Sequence, residues 1–192
     1  MNRKITTLGV VLASVFATSV IGASAAFAQE FHSAVHPQSI HGTPTTAHVF
    51  TTNAGTFTCK KITFSGTTSG ATSTTMTLAP DYNECTAFGF INVPIHENGC
   101  DFKFSSHVPP GTVEILCPTG KVIEITAPFC TTTIGPQHLT GMTYANNAGK
   151  TDIIATANIT GVHYVECGTT RTNGVLKGTT TWTGSAAAIW WE

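Results

Sequence analysis

The sequence predicts an all-β fold, an antiparallel β-sandwich or barrel-like arrangement of about ten short strands, disulfide-stapled, and three observations lead there. Threonine fills 36 of the 192 positions while only 10% of residues are charged, a bias toward uncharged β-branched side chains that suits strands and disfavours long solvated helices. Apolar residues recur at period two in short runs, broken by Gly, Pro and Asn at intervals of about 8 to 12 residues. Six cysteines, at 59, 85, 100, 117, 130 and 167, make an even set downstream of an export signal, which reads as three disulfides.

The signal occupies residues 1–28: Arg3 and Lys4, an apolar run from Leu8 through Ile21, and small residues ending in Ala26-Phe27-Ala28. The mature chain is therefore expected to start at Gln29 and to be secreted or extracellular, or periplasmic in a cell with two membranes. No Cys stands at the cut to carry a lipid, and the apolar stretch Ala186–Trp191 is far too short to span a bilayer. Nine basic residues against ten acidic ones lack the positive excess that phosphate backbones require, so nucleic acid is not an expected partner.

From Gln29 to Thr46, Pro37, Gly42 and Pro44 interrupt any periodicity, and an extended or mobile lead-in is expected before a single all-β domain over 47–192. Phe57 and Cys59 share one parity, Ile62 and Phe64 the other, so a β-bulge or bend at Lys60-Lys61 is needed to put all four on one face. Gly66 to Ser73 reads as a loop. Met76 and Leu78 alternate with Thr75 and Thr77 in a strand that Pro80 is expected to end. Phe88 and Phe90 then alternate around Gly89, with Ile91, Val93 and Ile95 on the opposite parity. Asn98-Gly99 is the strongest turn signal, and Asn173-Gly174 a second. Ile123 and Ile125 form a strand closed by Pro128, near which two lobes could meet. Ile153, Ala155, Ala157 and Ile159 line one face of a later strand, interrupted at Gly161 and continued by Val162 and Tyr164. The last clear strand runs from Lys177 to Thr183, with Trp182 on one face and Thr179, Thr181 and Thr183 on the other.

For the cysteines, zinc finds no C-x-x-C spacing. Fifteen pairings of six are possible in principle, and the sequential one is expected: Cys59 with Cys85, Cys100 with Cys117, Cys130 with Cys167. The middle pair has a local reason. Cys100 opens the alternating run Asp101–Phe104, Cys117 closes Val113–Leu116, and Pro109-Pro110-Gly111 joins the two as a hairpin whose outer ends meet.

Several stretches carry a resemblance: Phe57-Thr58-Cys59, the Thr/Ser/Gly loop, Leu78-Ala79-Pro80-Asp81-Tyr82 with Cys85-Thr86-Ala87-Phe88-Gly89, Asn98-Gly99-Cys100, and Cys117-Pro118. Spread over most of the mature chain, this pattern resembles uncharacterised secreted, cysteine-containing β proteins of actinobacteria. The resemblance implies an exported, disulfide-bonded β protein and brings no catalytic residues.

Four groups of residues carry candidate chemistry. His32, His36, His41 and His48 crowd into the region before the expected domain and are the candidate metal ligands, without an acidic or backing pattern to orient them. His96, Glu97, Asp101 and His107 surround the Asn98-Gly99 turn. Asp81 with Glu84, and Glu114 with Glu124 on strands taken to be neighbours, are the carboxylate pairs a polysaccharide hydrolase would need. Trp190 and Trp191 are adjacent, so in a strand only one can face inward and the other is free to stack on a sugar. No nucleophile elbow, zincin motif, phosphate loop or dinucleotide fingerprint occurs, and no cofactor is implied. The expectation is an exported, non-catalytic β module with a binding or structural role, extracellular or envelope-associated, its partner a cell-envelope or glycan component. A secreted polysaccharide hydrolase is the alternative, and a secreted protein inhibitor presenting the Gly66–Ser73 loop the third.

Overall fold

Strand parity organises the molecule. In the computed structural model, which describes residues 29–106 and 109–192, fifteen strands form and no helix does. The expected signal, 1–28, and His107 lie outside the described residues. Eight strands build a closed wall: β2 (Ser39–Thr51), β3 (Thr56–Thr67), β5 (Thr75–Ala87), β8 (Asp101–Ser105), β9 (Gly111–Leu116), β12 (Gln137–Asn146), β13 (Asp152–Glu166) and β14 (Thr169–Gly184). Each pairs antiparallel with the next of the eight, and β14 returns to β2, from Val175 opposite Thr51 to Gly184 opposite Ile40. This is an up-and-down barrel, which leaves the wall without an open edge.

The shift at Lys60-Lys61 is present: Phe57, Cys59, Ile62 and Phe64 are all buried while both lysines are exposed. Its counterpart lies opposite, where Asn83 and Glu84 both face out and Glu84 takes a positive φ of 50°. The two strands change parity together, with Cys59 paired to Cys85 and Lys61 to Asn83, so the ladder keeps its register. Ile62, Leu78, Ile153 and Ile159 are fully enclosed in the resulting interior.

Five expectations are corrected. Residues 29–46 are not a lead-in, because β1 (Phe31–Ser33) and most of β2 lie there; Thr and Ser supply the ladder where apolar periodicity is missing. Pro80 does not end its strand: β5 pairs with β8 only from Thr75 to Leu78, and Pro80, lacking an amide proton, stands just past that ladder. The second hairpin turn is Cys167-Gly168, both at positive φ, whereas Asn173-Gly174 lies inside β14 opposite irregular pairings of β13 at Val162. Phe88-Gly89-Phe90 is a turn rather than a strand. The two lobes do not form either, since β9 pairs with β12 across Pro128.

The remaining strands close the two ends. At one end β15 (Ile189–Trp191) and β4 (Thr72–Ser73) flank β1 as a small cap. Beneath it Trp182, 1% exposed, meets Phe104 at 4.7 Å, Tyr144 at 5.8 Å and Phe31 at 6.0 Å between ring centroids. The amide of Glu192 donates to the carbonyl of Glu30 at 3.0 Å, so these residues lie side by side on the cap. At the other end β7 (Ile95–His96), β10 (Ile123–Ala127) and β11 (Cys130–Ile134) form a flap joined to the last turn of β13, while β6 (Ile91–Asn92) folds back on β5.

Side-chain amides complete the ladders that backbone cannot reach. Gln137 both donates to the His163 carbonyl and accepts from its amide at 2.9 Å, bridging the fork where β13 passes from β12 to β11. Asn146 does the same for Trp191 at 2.8 Å, and Gln38 accepts from Ala186 and Ala187 at 3.1 and 3.0 Å. The disulfides are Cys59–Cys85 directly across β3 and β5, Cys100–Cys117 at the open ends of the β8–β9 hairpin, and Cys130–Cys167 from the flap to the β13–β14 turn. Three such bridges are consistent with an extracellular, oxidising setting.

Deleting Lys60 removes the parity change from one strand only and turns Phe57 and Cys59 outward. The deletion variant is expected to fail to form Cys59–Cys85, as mass mapping of non-reduced peptides would show. Lys60→Thr keeps the count and should change stability by less than about 0.5 kcal/mol in urea.

Candidate functional site

A closed barrel holds a ligand only where its interior is left open. Aromatic and branched side chains fill it and leave two cavities of about 60 and 30 Å³, against roughly 300–1,000 Å³ for ordinary ligand sites. His48 borders both cavities. Its Nε2 lies 2.9 Å from the Thr180 hydroxyl, and its buried Nδ1 has no partner. The ring fits only because residue 178 is glycine: a Cβ there would stand 2.2 Å from His48 Cδ2. Burial pushes the imidazole down to about 4, so it stays neutral in the fold. The Tyr82 hydroxyl is raised by burial and then by the nearby charge of Glu97, and that of Tyr144 by burial. These groups are core components, and the interior has no room for a substrate.

The rim at the flap end is built differently. The β10–β11 turn is a two-residue connection between the paired Ala127 and Cys130, and its tip puts Phe129 at 95% exposure. Phe88 and Phe90, in the turn after β5, are 56% and 78% exposed. Phe88 holds a φ of 53°, a conformation costly for a bulky residue, and its ring lies over Gly55, where a Cβ would come within 2.4 Å of it. Between Phe88 and Phe129 opens a cavity of about 170 Å³ whose lining includes Ile91, Thr132 and Glu166.

Two disulfides brace these turns from below: Cys130 carries Phe129, and Cys85 lies three residues before Phe88. A polar relay locks the neighbouring β2–β3 turn. The Tyr164 hydroxyl accepts from the Asn53 amide at 2.9 Å and donates to Asn173 Oδ1 at 3.2 Å, and Asn173 Nδ2 donates to Asn53 Oδ1 at 2.6 Å. The arrangement therefore offers rigid, exposed aromatic surface around one small recess, which suits recognition.

The candidate residues named from sequence are not gathered at this rim. Trp190 stacks on His32 on the cap, with ring centroids 5.2 Å apart, and Trp191 packs beside Tyr144 at 6.1 Å with its indole nitrogen buried and unpartnered. His36 is exposed in the bend after β1, His41 faces out from β2 and His48 faces in. Among the described residues no three His, Cys, Asp or Glu side chains gather as metal ligands would.

Glu97 accepts from the Tyr82 amide at 2.7 Å, while His96 and Asp101 sit on β7 and β8. Asp81 accepts from Thr63 at 3.5 Å, and Glu84 occupies the outward kink of β5. Glu114 and Glu124 are not on neighbouring strands, because β9 lies between β8 and β12 and β10 between β7 and β11; Glu114 pairs with Lys103 at 3.5 Å. The Gly66–Ser73 segment, expected as a loop, is partly strand: Gly66 and Thr67 end β3 and Thr72 and Ser73 form β4, at the opposite end from the rim, and the Thr68 hydroxyl between them accepts from the Gln38 amide at 3.0 Å. Sequence reading missed the rim, although glycine between two phenylalanines and Pro-Phe before a cysteine are turn signals.

His48 generates a pH dependence. Below about pH 6.5 the unfolded chain takes up a proton that the folded imidazole refuses, so stability falls as pH drops toward about 4 and then levels off. The depressed value corresponds to about 3 kcal/mol. The stability difference between wild type and His48→Gln, from urea unfolding, should narrow by that order between pH 7 and pH 4; a constant difference would contradict the buried neutral ring. In comparisons with known proteins, no family model, curated protein or solved structure matches this chain.

Proposed function

We propose that the protein is an exported, non-catalytic β module, extracellular or envelope-associated, that binds its partner through the rim carrying Phe88, Phe90 and Phe129. The observation that carries this reading is the contrast between the two candidate locations. The interior is packed to residual voids of about 60 and 30 Å³, while three large aromatic rings stand exposed on braced turns. Exposed apolar surface held rigid at the cost of a positive φ is expected where a partner covers it. Three disulfides and the export signal agree with work outside the cell. Of the carboxylate pairs considered for a hydrolase, Glu114 and Glu124 lie on strands that are not neighbours, and Asp81 and Glu84 stand three residues apart along the exposed side of β5, whereas two-carboxylate hydrolysis needs a pair converging on one bond.

The test is incubation of the mature protein with isolated cell envelopes and a glycan panel, scored for retention and for released product. Retention without product is expected, and the double variant Phe88→Ser with Phe129→Ser should lose at least about tenfold in retention while keeping its unfolding midpoint within a few degrees. Product release abolished by changing one carboxylate would replace this reading with the hydrolase.

A further inference from the structure

We infer that the cavity between Phe88 and Phe129 takes a lysine side chain presented by another polypeptide, its ammonium group meeting Glu166 and Thr132. The inference rests on the rim being the binding surface, and it names the chemistry the rim selects.

Two observations at the cavity point to a ligand that donates hydrogen bonds and carries positive charge. Thr132 is 1% exposed and its hydroxyl has no hydrogen-bond partner, although it lines the cavity. Glu166, 6% exposed, lines it too, and the donor that reaches its Oε1 is the Ala54 amide at a long 3.4 Å. The ion pairs among the described residues, Lys103–Glu114 and Lys150–Glu192, use other carboxylates. A buried hydroxyl without a partner is unfavourable until something supplies one, and a largely buried carboxylate holding one long hydrogen bond keeps acceptor capacity for a further donor. No lysine or arginine is among the lining residues, so the cation comes from outside.

The walls indicate which cation. Phe88 and Phe129 offer aromatic surface to a positive charge and apolar surface to a methylene stem. Thr132 and Glu166 are direct partners across the β11–β13 ladder, so both belong to adjacent strands of the cavity's largely apolar lining. That pair suits a compact ammonium with three donors better than a planar guanidinium with five. A free amine would fill the recess and leave Phe90 and the outer face of Phe129 uncovered. A polypeptide laid across the rim covers them, which selects the macromolecular source.

The test uses the mature, disulfide-bonded protein in an NMR titration with four probes: acetyl-Gly-Lys-Gly-amide, its norleucine and arginine counterparts, and free butylammonium. The lysine peptide is expected to move the Ala54 amide and the Phe88 and Phe129 ring signals, and to bind about tenfold more tightly than the norleucine peptide. Glu166→Gln should abolish that preference and leave norleucine binding unchanged. Thr132→Val, which removes the unpartnered hydroxyl and keeps the shape, should weaken lysine binding without lowering the unfolding midpoint, and it reads the same site should Glu166→Gln fail to fold. Equal binding of lysine and norleucine, tighter binding of arginine, butylammonium as tight as the lysine peptide, or no response to any probe would each overturn the assignment. If the assignment falls while the phenylalanine double variant still loses envelope retention, the rim reading survives; if that variant is retained normally, the rim reading itself falls.

Discussion

The rest of the molecule depends on the pairing of β2 with β14, which turns a meander into a closed wall. Without that seam both strands would present unpaired amides and carbonyls, and Trp182 would lose the enclosure on which its ring contacts depend. Glycines stand at two points of the seam for a steric reason. A Cβ on Gly42 would stand 2.8 Å from Phe64 Cβ and 2.9 Å from Trp182 Cδ1, and one on Gly178 would meet His48. Polar side chains cross it as well: His48 to Thr180, and Thr46, which accepts from the Thr179 amide at 2.9 Å.

The two ends are stabilised by different physics. Around Trp182 the closure is aromatic, with Phe31, Phe104 and Tyr144 packed at ring separations of 4.7 to 6.0 Å. Toward the flap, all three sulfur bridges stand in the half of the barrel where the wall thins, since β8 begins only at Asp101 and β9 stops at Leu116. In the chain-entropy account a bridge of these loop lengths contributes about 3 to 4 kcal/mol, less any native strain. Covalent bracing thus takes over where packing cannot, and it leaves apolar side chains at that end free to face outward.

Local signals were legible and long-range ones were not. The phase change at Lys60-Lys61, the Asn98-Gly99 turn, where both residues take positive φ, and the hairpin between Cys100 and Cys117 follow from steric rules acting over a few residues. Closure of β14 on β2 joins residues more than a hundred positions apart, and no local pattern encodes it. Asn173-Gly174 misled because a glycine admits close approach as readily as a turn: a Cβ there would lie 2.9 Å from Phe50. The rim escaped notice because its phenylalanines alternate like strand residues, and whether an aromatic ring faces the core or the solvent depends on neighbours far along the chain. The roles of Gln38, Gln137 and Asn146 as surrogate strand segments have no sequence signature, since an amide in a loop looks the same whether it binds water or backbone.

The adjacency of Glu30 and Glu192 on the cap has a topological consequence. In a chain cut to residues 30–192 the two cut ends would already lie in hydrogen-bond contact, so a short peptide linker would join them into a ring with little distortion, and the ring could be reopened in the exposed hairpin connection 147–150 to give a permuted chain with the same barrel. Whatever is tethered at that pole hangs from the face opposite the phenylalanines, so the scaffold can be grafted, immobilised or strung in tandem while Phe88, Phe90 and Phe129 point away from the attachment.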